Sequence, residues 1–214
     1  GYVFLPSFYG GQGRAAAEDV RGLLGRLRQR DVAGVVLDLR SNGGGLLDDA
    51  VELTGLFIDR GPVVQVADGA GGREVLTDDE TGTAFDRPVV VQVDRFSASA
   101  SEIVAGALQD YRRAVIVGTS PTHGKGTVQS LVNLDRDAGG RLQLGSLKLT
   151  IQQFYRINGA STQLDDQGQL GGPGNIALRA YPHHAAVFGY FGRLQDQVLA
   201  FDRGRRRAQR LGGL

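Results

Sequence analysis

The chain has 214 residues, 41% of them hydrophobic and 22% charged, which suits one soluble globular domain with a well-buried core. A formal net charge of +1, with both signs mixed along the length, excludes a nucleic-acid binder that works through a basic surface. The absence of cysteine excludes disulfides, thiolate catalysis and cysteine-ligated zinc.

No apolar run approaches the roughly 20 residues that cross a bilayer, so no membrane span is expected. The chain starts mid-pattern in "GYVFLPSFYG", without methionine or signal peptide, and reads as a piece of a longer precursor.

Helical spacing over residues 15–30 leads into "VAGVVLDLR", residues 32–40, a continuous apolar run that reads as a buried strand. Residues 46–58 have helical spacing again. "PVVVQVD", residues 88–94, and "RRAVIVG", residues 112–118, repeat the buried-strand form, with a helix expected over 99–111 between them. Strand and helix therefore alternate, which predicts an α/β domain built on a mainly parallel sheet with flanking helices. "LKLTIQQFYRI", residues 147–157, adds a later, partly alternating strand. The stretches 67–82 and 135–140 read as surface hairpins or loops. After residue 163 the pattern dissolves, so the expected division is a core over 1–163 and a C-terminal extension over 164–214. The basic run at 203–210 reads as a solvated tail.

Chemistry has three places to sit, each after a predicted strand. "FSASASE", residues 96–102, ends one strand and opens a helix. Ser99 with Glu102 fits a helix capping box, which is the plainer reading, and a serine at such a junction is also well placed for nucleophilic attack but needs a base. "GTSPTHGKGTVQ", residues 118–129, offers Lys125 between two glycines. As a general base it must be neutral, and lowering its pKa by three units costs roughly 4 kcal/mol, which burial can impose. An exposed turn lysine is the plainer reading. A phosphate loop fails because Gly118 to Gly124 encloses five residues, not four, and Gly126 stands where the magnesium-binding hydroxyl belongs. "DLRSNGGG", residues 38–45, is a flexible turn or a place where backbone N–H groups meet a ligand. In a parallel sheet all three places converge on one edge. None of the three histidines sits in a convincing triad position.

Taken together, "DLRSNGGG", "VDRFSASASEI", "LQDYRRAVIVG", "GKGTVQ" and "YRINGASTQ", in this order over residues 5–163, closely resemble the C-terminal processing peptidases, or tail-specific proteases. The resemblance implies a crotonase-like (ClpP/crotonase) core and a serine endopeptidase with a serine–lysine dyad, needing no metal or cofactor. Ser99 matches the nucleophile, Lys125 the base, and Gln129 the residue that orients the lysine. Ala100 and Gly44 or Gly45 match the backbone oxyanion donors. Asp110 matches a position linked to activity. Lying near a helix C-terminus, it needs a compensating cation, for which Arg112 or Arg113 is the expected source. A structural role for Asp110 is as well supported as a catalytic one.

The implied partners are protein or peptide substrates with apolar C-terminal tails. A PDZ or adaptor domain is absent from these residues and would precede them. The implied location is the bacterial periplasm or cell envelope. Three departures from the family pattern stand out: a lysine loop one residue longer, His123 in place of an aromatic residue, and "GPGNI" where a "PDI"-like turn is usual. Two other readings compete. A silent peptide-binding scaffold would have lost the serine or lysine, and an acyl-CoA enzyme on the same core would not need "SASE" and "GKGTVQ" together.

Overall fold

The computed structural model describes residues 1–11, 13–137 and 145–163, with the side chains of 136 and 137 left aside. The expectation for residues 164–214 lies outside them, as does residues 138–140 of the loop predicted over 135–140; residues 135–137 fall in the short helix α4 (Leu134–Asp137).

The first sheet is wholly parallel. It is made of β1 (Tyr2–Phe4), β4 (Val35–Asp38), β7 (Val89–Val93) and β8 (Ala114–Gly118), in the order β1-β4-β7-β8. Every residue of β4 and β7 is buried, which is why both read as unbroken apolar runs and not as alternating ones. Val35, Leu37, Val89, Val91 and Val93 share one face by strand alternation, and all belong to the main core cluster with residues of the helices.

The helix α1 (Ala16–Gln29) buries Ala16, Val20 and Leu24 at four-residue spacing, with Glu18 and Asp19 in its first turn and Arg26 and Arg28 in its last, as the helix dipole favours. The helix α2 (Leu47–Gly55) stops three residues earlier than its apolar spacing predicts. The Leu56 carbonyl accepts the amides of Ala84 and Phe85, so Leu56, Phe57 and Ile58 stay buried in a turn. The helix α3 (Ala100–Asp110) is buried from Ala100 through Gln109.

A second, antiparallel sheet has the order β6-β5-β10-β9, from β5 (Gly61–Asp68), β6 (Arg73–Asp78), β9 (Thr127–Asn133) and β10 (Ser146–Tyr155). The predicted hairpin at 67–82 is the β5–β6 turn, where Asp68 Oδ1 accepts the amides of Ala70 and Gly72. A small ladder joins β2 (Gly10–Gly11) to β3 (Arg14–Ala15). Strands β1, most of β5, and β9 were not legible as strands in the sequence. Strands β4, β7 and β8 are neighbours and parallel, so the three loops after them leave from one edge.

Candidate active site

The loops after β4 and β7 are stitched together by buried polar groups. Asn42, fully buried, donates from Nδ2 to the Leu5 carbonyl at 2.9 Å, while its own carbonyl accepts the Ala98 N–H at 3.0 Å and the Ser101 hydroxyl at 2.9 Å. The Ser97 hydroxyl donates to the Leu39 carbonyl at 2.8 Å and accepts the Asp94 N–H at 3.0 Å. Two of the three serines in "SASAS" therefore serve the scaffold. Ser99, between them, is half-buried and forms a capping box with Glu102 at the start of α3.

Ser99 has φ 57° and ψ −114°, a backbone state that a residue with a Cβ holds only under constraint. The constraint is visible. Its N–H donates to Glu102 Oε2 at 2.8 Å, and its carbonyl accepts the Glu102 and Ile103 amides at 2.8 and 3.0 Å. The Ala100 N–H, first of the helix, has no partner among the described residues and stands at the positive end of the α3 dipole.

The glycine run packs directly on this turn. A Cβ at Gly44 would stand 2.7 Å from the Ala98 carbonyl oxygen, 2.8 Å from Ser99 Cβ and 3.0 Å from the Ala100 nitrogen, and Gly44 has φ +99°. Its N–H donates to Asn42 Oδ1 at 2.9 Å, so of the two predicted glycine donors it is Gly45 whose N–H has no partner among the described residues. A Cβ at Gly45 would collide with the Phe8 carbonyl oxygen, at 1.8 Å.

Glu102 joins the serine turn to the lysine loop. Its side chain is fully buried. Oε1 accepts the Thr122 hydroxyl and the Gly124 N–H, both at 2.7 Å, and Oε2 accepts the Ser99 N–H at 2.8 Å and the Lys125 N–H at 3.0 Å. Burial pushes its carboxyl pKa up, and these four hydrogen bonds oppose that rise. In the lysine loop the His123 N–H donates to the Ser97 carbonyl at 3.0 Å, and His123 is exposed.

Lys125 is half-buried, and its ammonium pKa is lowered, first by desolvation and then by the nearby charge of Lys148, with Glu102 opposing. This is the direction a general base needs. No hydrogen bond joins Lys125 Nζ to Ser99 Oγ in this structure. No hydrogen bond joins Gln129 to the lysine side chain either. It sits exposed at the third position of β9, opposite Thr150, carried along an extended strand that rises roughly 3.3 Å per residue.

Asp110 closes α3, about 16 Å along the helix from Ser99 at 1.5 Å per residue. Arg112 or Arg113 is the expected cation; the structure pairs Asp110 with Arg156. The Arg113 guanidinium instead donates to the Phe57, Phe85 and Arg87 carbonyls. Sequence reasoning missed Asn42, Thr122 and Arg156, and saw in Glu102 only a helix cap. The one available signal was the Ser99–Glu102 spacing.

The model of peptidase family S41 matches residues 1–168. The tail-specific protease of Haemophilus influenzae is 47% identical over 168 residues, 76% of this chain and 23% of that protein. The chloroplastic carboxyl-terminal-processing peptidase 2 of Arabidopsis thaliana is 39% identical over 201 residues, 94% of this chain and 36% of that one. Among solved structures, the photosystem II D1 C-terminal processing protease superposes with a TM-score of 0.64 at 33% identity, covering 76% of this chain and 39% of that chain. The chain thus spans well under half the length of these relatives. A family match over most of the chain means that the chain belongs to peptidase family S41.

Proposed function

We propose that residues 1–163 form the catalytic core of a serine endopeptidase of the C-terminal processing, tail-specific type, on a crotonase-like fold, with 164–214 as a C-terminal extension. Ser99 attacks the peptide carbonyl. Lys125 takes the hydroxyl proton and returns it to the leaving amine, and water then hydrolyses the acyl-enzyme. The Ala100 and Gly45 N–H groups receive the oxyanion, and Gly44 contributes by having no Cβ to fill that space. One observation carries this reading: a single buried oxygen, Glu102 Oε2, accepts the backbone N–H of both Ser99 and Lys125. That ties the backbones of the two chain segments to one point.

Gln129 as the lysine-orienting residue has weaker support than Glu102, which holds the lysine backbone directly. Substrates of this reading are unfolded or tail-marked proteins with apolar C-termini, met in the periplasm or cell envelope with the help of a PDZ or adaptor domain. No helix among the described residues is long and apolar enough to cross a membrane.

A silent peptide-binding core is the second reading, favoured by the lack of a hydrogen bond between Lys125 Nζ and Ser99 Oγ. One experiment separates the two. The chain, with Ser99→Ala and Lys125→Ala variants, is incubated with an unfolded protein bearing an apolar C-terminal tail, and fragments are read by mass spectrometry. Cleavage by the unmutated chain, lost in both variants, is the expected result. Cleavage that survives Ser99→Ala sinks the assignment, and no cleavage by any of the three supports the silent core.

A further inference from the structure

The helix that carries Ser99 at its amino end carries Asp110 as its last residue. Asp110 and Arg156 form a buried pair, their side chains 11% and 7% exposed. Arg156 Nε donates to Asp110 Oδ2 at 2.9 Å and a terminal nitrogen donates to Oδ1, the two-pronged geometry that a guanidinium offers a carboxylate. The same guanidinium donates to Gln109 Oε1 at 3.0 Å, so it is fastened to the last turn of α3 at several points.

Arg156 directly follows β10 and opens a tight turn. Its N–H donates to the Ala160 carbonyl at 2.8 Å, its carbonyl accepts the Gly159 N–H at 2.9 Å, and Tyr155 pairs with Ser161. The turn sends the chain back beside β10, where it meets the lysine. Gln163 Oε1 accepts the Gly126 N–H at 2.9 Å, and the Thr162 hydroxyl lies 3.5 Å from the Lys125 carbonyl. On the other side of Arg156, the Phe154 N–H donates to the Gly126 carbonyl at 2.9 Å. The Lys125–Gly126 backbone is therefore gripped by residues that flank Arg156 on both sides.

We propose that Arg156 is a positioning residue for Lys125: its ion pair with Asp110 fixes the turn after β10 to the far end of the helix that presents Ser99. The lysine loop then has two attachments to α3, one through Glu102 at the first turn and one through Arg156 at the last. A rigid helix converts the second into a constraint on how closely Lys125 approaches Ser99. This accounts for an aspartate at a helix C-terminus, where its charge alone is unfavourable. The inference rests on the Ser99–Lys125 dyad proposed above.

The test is the rate at which a serine-directed fluorophosphonate labels Ser99 in the 214-residue chain, measured against pH, with folding checked by circular dichroism. Arg156→Gln is expected to slow labelling at least tenfold and to move the pH midpoint upward, because a loosened loop admits water to Lys125 and restores its basicity. Arg156→Lys keeps the charge without the fork and should fall between. The double variant Asp110→Asn/Arg156→Gln leaves no unpaired buried charge and guards against misfolding. It should resemble Arg156→Gln and not compound it. A folded Arg156→Gln or double variant with unmutated rate and midpoint overturns the proposal. If the unmutated chain is not labelled at Ser99, the dyad reading itself falls and takes this inference with it.

Discussion

The buried carboxylate of Glu102 accepts the backbone N–H of Lys125 at 3.0 Å, across 23 positions of sequence, while the same oxygen holds the N–H of Ser99. A helix-capping glutamate has thereby become the joint between two loops. Glu102→Gln keeps the shape but swaps one acceptor oxygen for an NH2 group, which must face either the Ser99 and Lys125 amides or the Thr122 and Gly124 donors. Each buried donor left unpaired costs about 1–3 kcal/mol. With two donors affected, the expected outcome is a melting temperature lowered by roughly 4–24 °C, at about 2–4 °C per kcal/mol for a chain of this size, with peptide cleavage reduced at least tenfold. Unchanged values in both measurements would show that the carboxylate does not join the loops.

How much of this was legible beforehand depended on whether a signal was local. The parallel strands β4 and β7 announce themselves because burial on both faces leaves continuous apolar runs, and β8, buried at Ala114 and Ile116 and half-buried elsewhere, keeps an apolar run at the sheet edge. Ser99 and Lys125 are marked by what surrounds them, a helix start and two glycines. Strand β9 was hidden because its residues alternate only between exposed and half-buried, and β5 because its pairing with β10 joins segments far apart in sequence. Of the expected partners of Asp110, Arg112 or Arg113, the second is diverted, and Arg156 was not legible for the same reason. Arg113 is three residues away but turns to backbone carbonyls, whereas Arg156 arrives from another strand.

The rate of cleavage should rise with pH as Lys125 loses its proton, with a midpoint below the ordinary lysine value of about 10.4, because burial and Lys148 both lower its pKa. The stability sign runs opposite to that of a paired lysine. With the folded pKa below the unfolded one, the unfolded chain binds more protons between the two values, so stability rises with pH across that window. At pH 7 the protonated lysine weighs against folding. Lys125→Met should therefore melt at or above the unmutated temperature at pH 7, and the gain should shrink as pH rises through the folded pKa. Calorimetry on both proteins at several pH values checks this, and a Lys125→Met chain that melts lower at pH 7 contradicts it.

Ser99 holds positive φ that glycine adopts freely. Removing the hydroxyl as Ser99→Ala keeps the strained backbone, whereas Ser99→Gly releases it. Both should abolish cleavage. Ser99→Gly should be the more stable of the two by about 1 kcal/mol, the lower end of what such strain costs, after subtraction of the extra chain entropy that glycine gives the unfolded state. If thermal melts rank Ser99→Ala above Ser99→Gly, the strain at this turn is not released by glycine and the backbone account fails.

The three glycines after Asn42 should respond very differently to one added methyl group. At Gly43 a Cβ meets nothing within 4 Å, and φ there is not positive, so Gly43→Ala should keep cleavage within about threefold and stability within about 0.5 kcal/mol of the unmutated chain. At Gly44 the same methyl is driven against the Ala98 carbonyl and Ser99 Cβ at 2.7 and 2.8 Å, from a backbone at φ +99°. Relief requires Ser99 to move by a sizeable fraction of an ångström, and misplacement by about 1 Å costs on the order of 100-fold in rate. Gly44→Ala is thus expected to lose about two orders of magnitude in kcat/KM while still folding. Equal activity in the two variants, measured on one peptide substrate, would mean that contact between the glycine run and the serine turn does not set the geometry of the site.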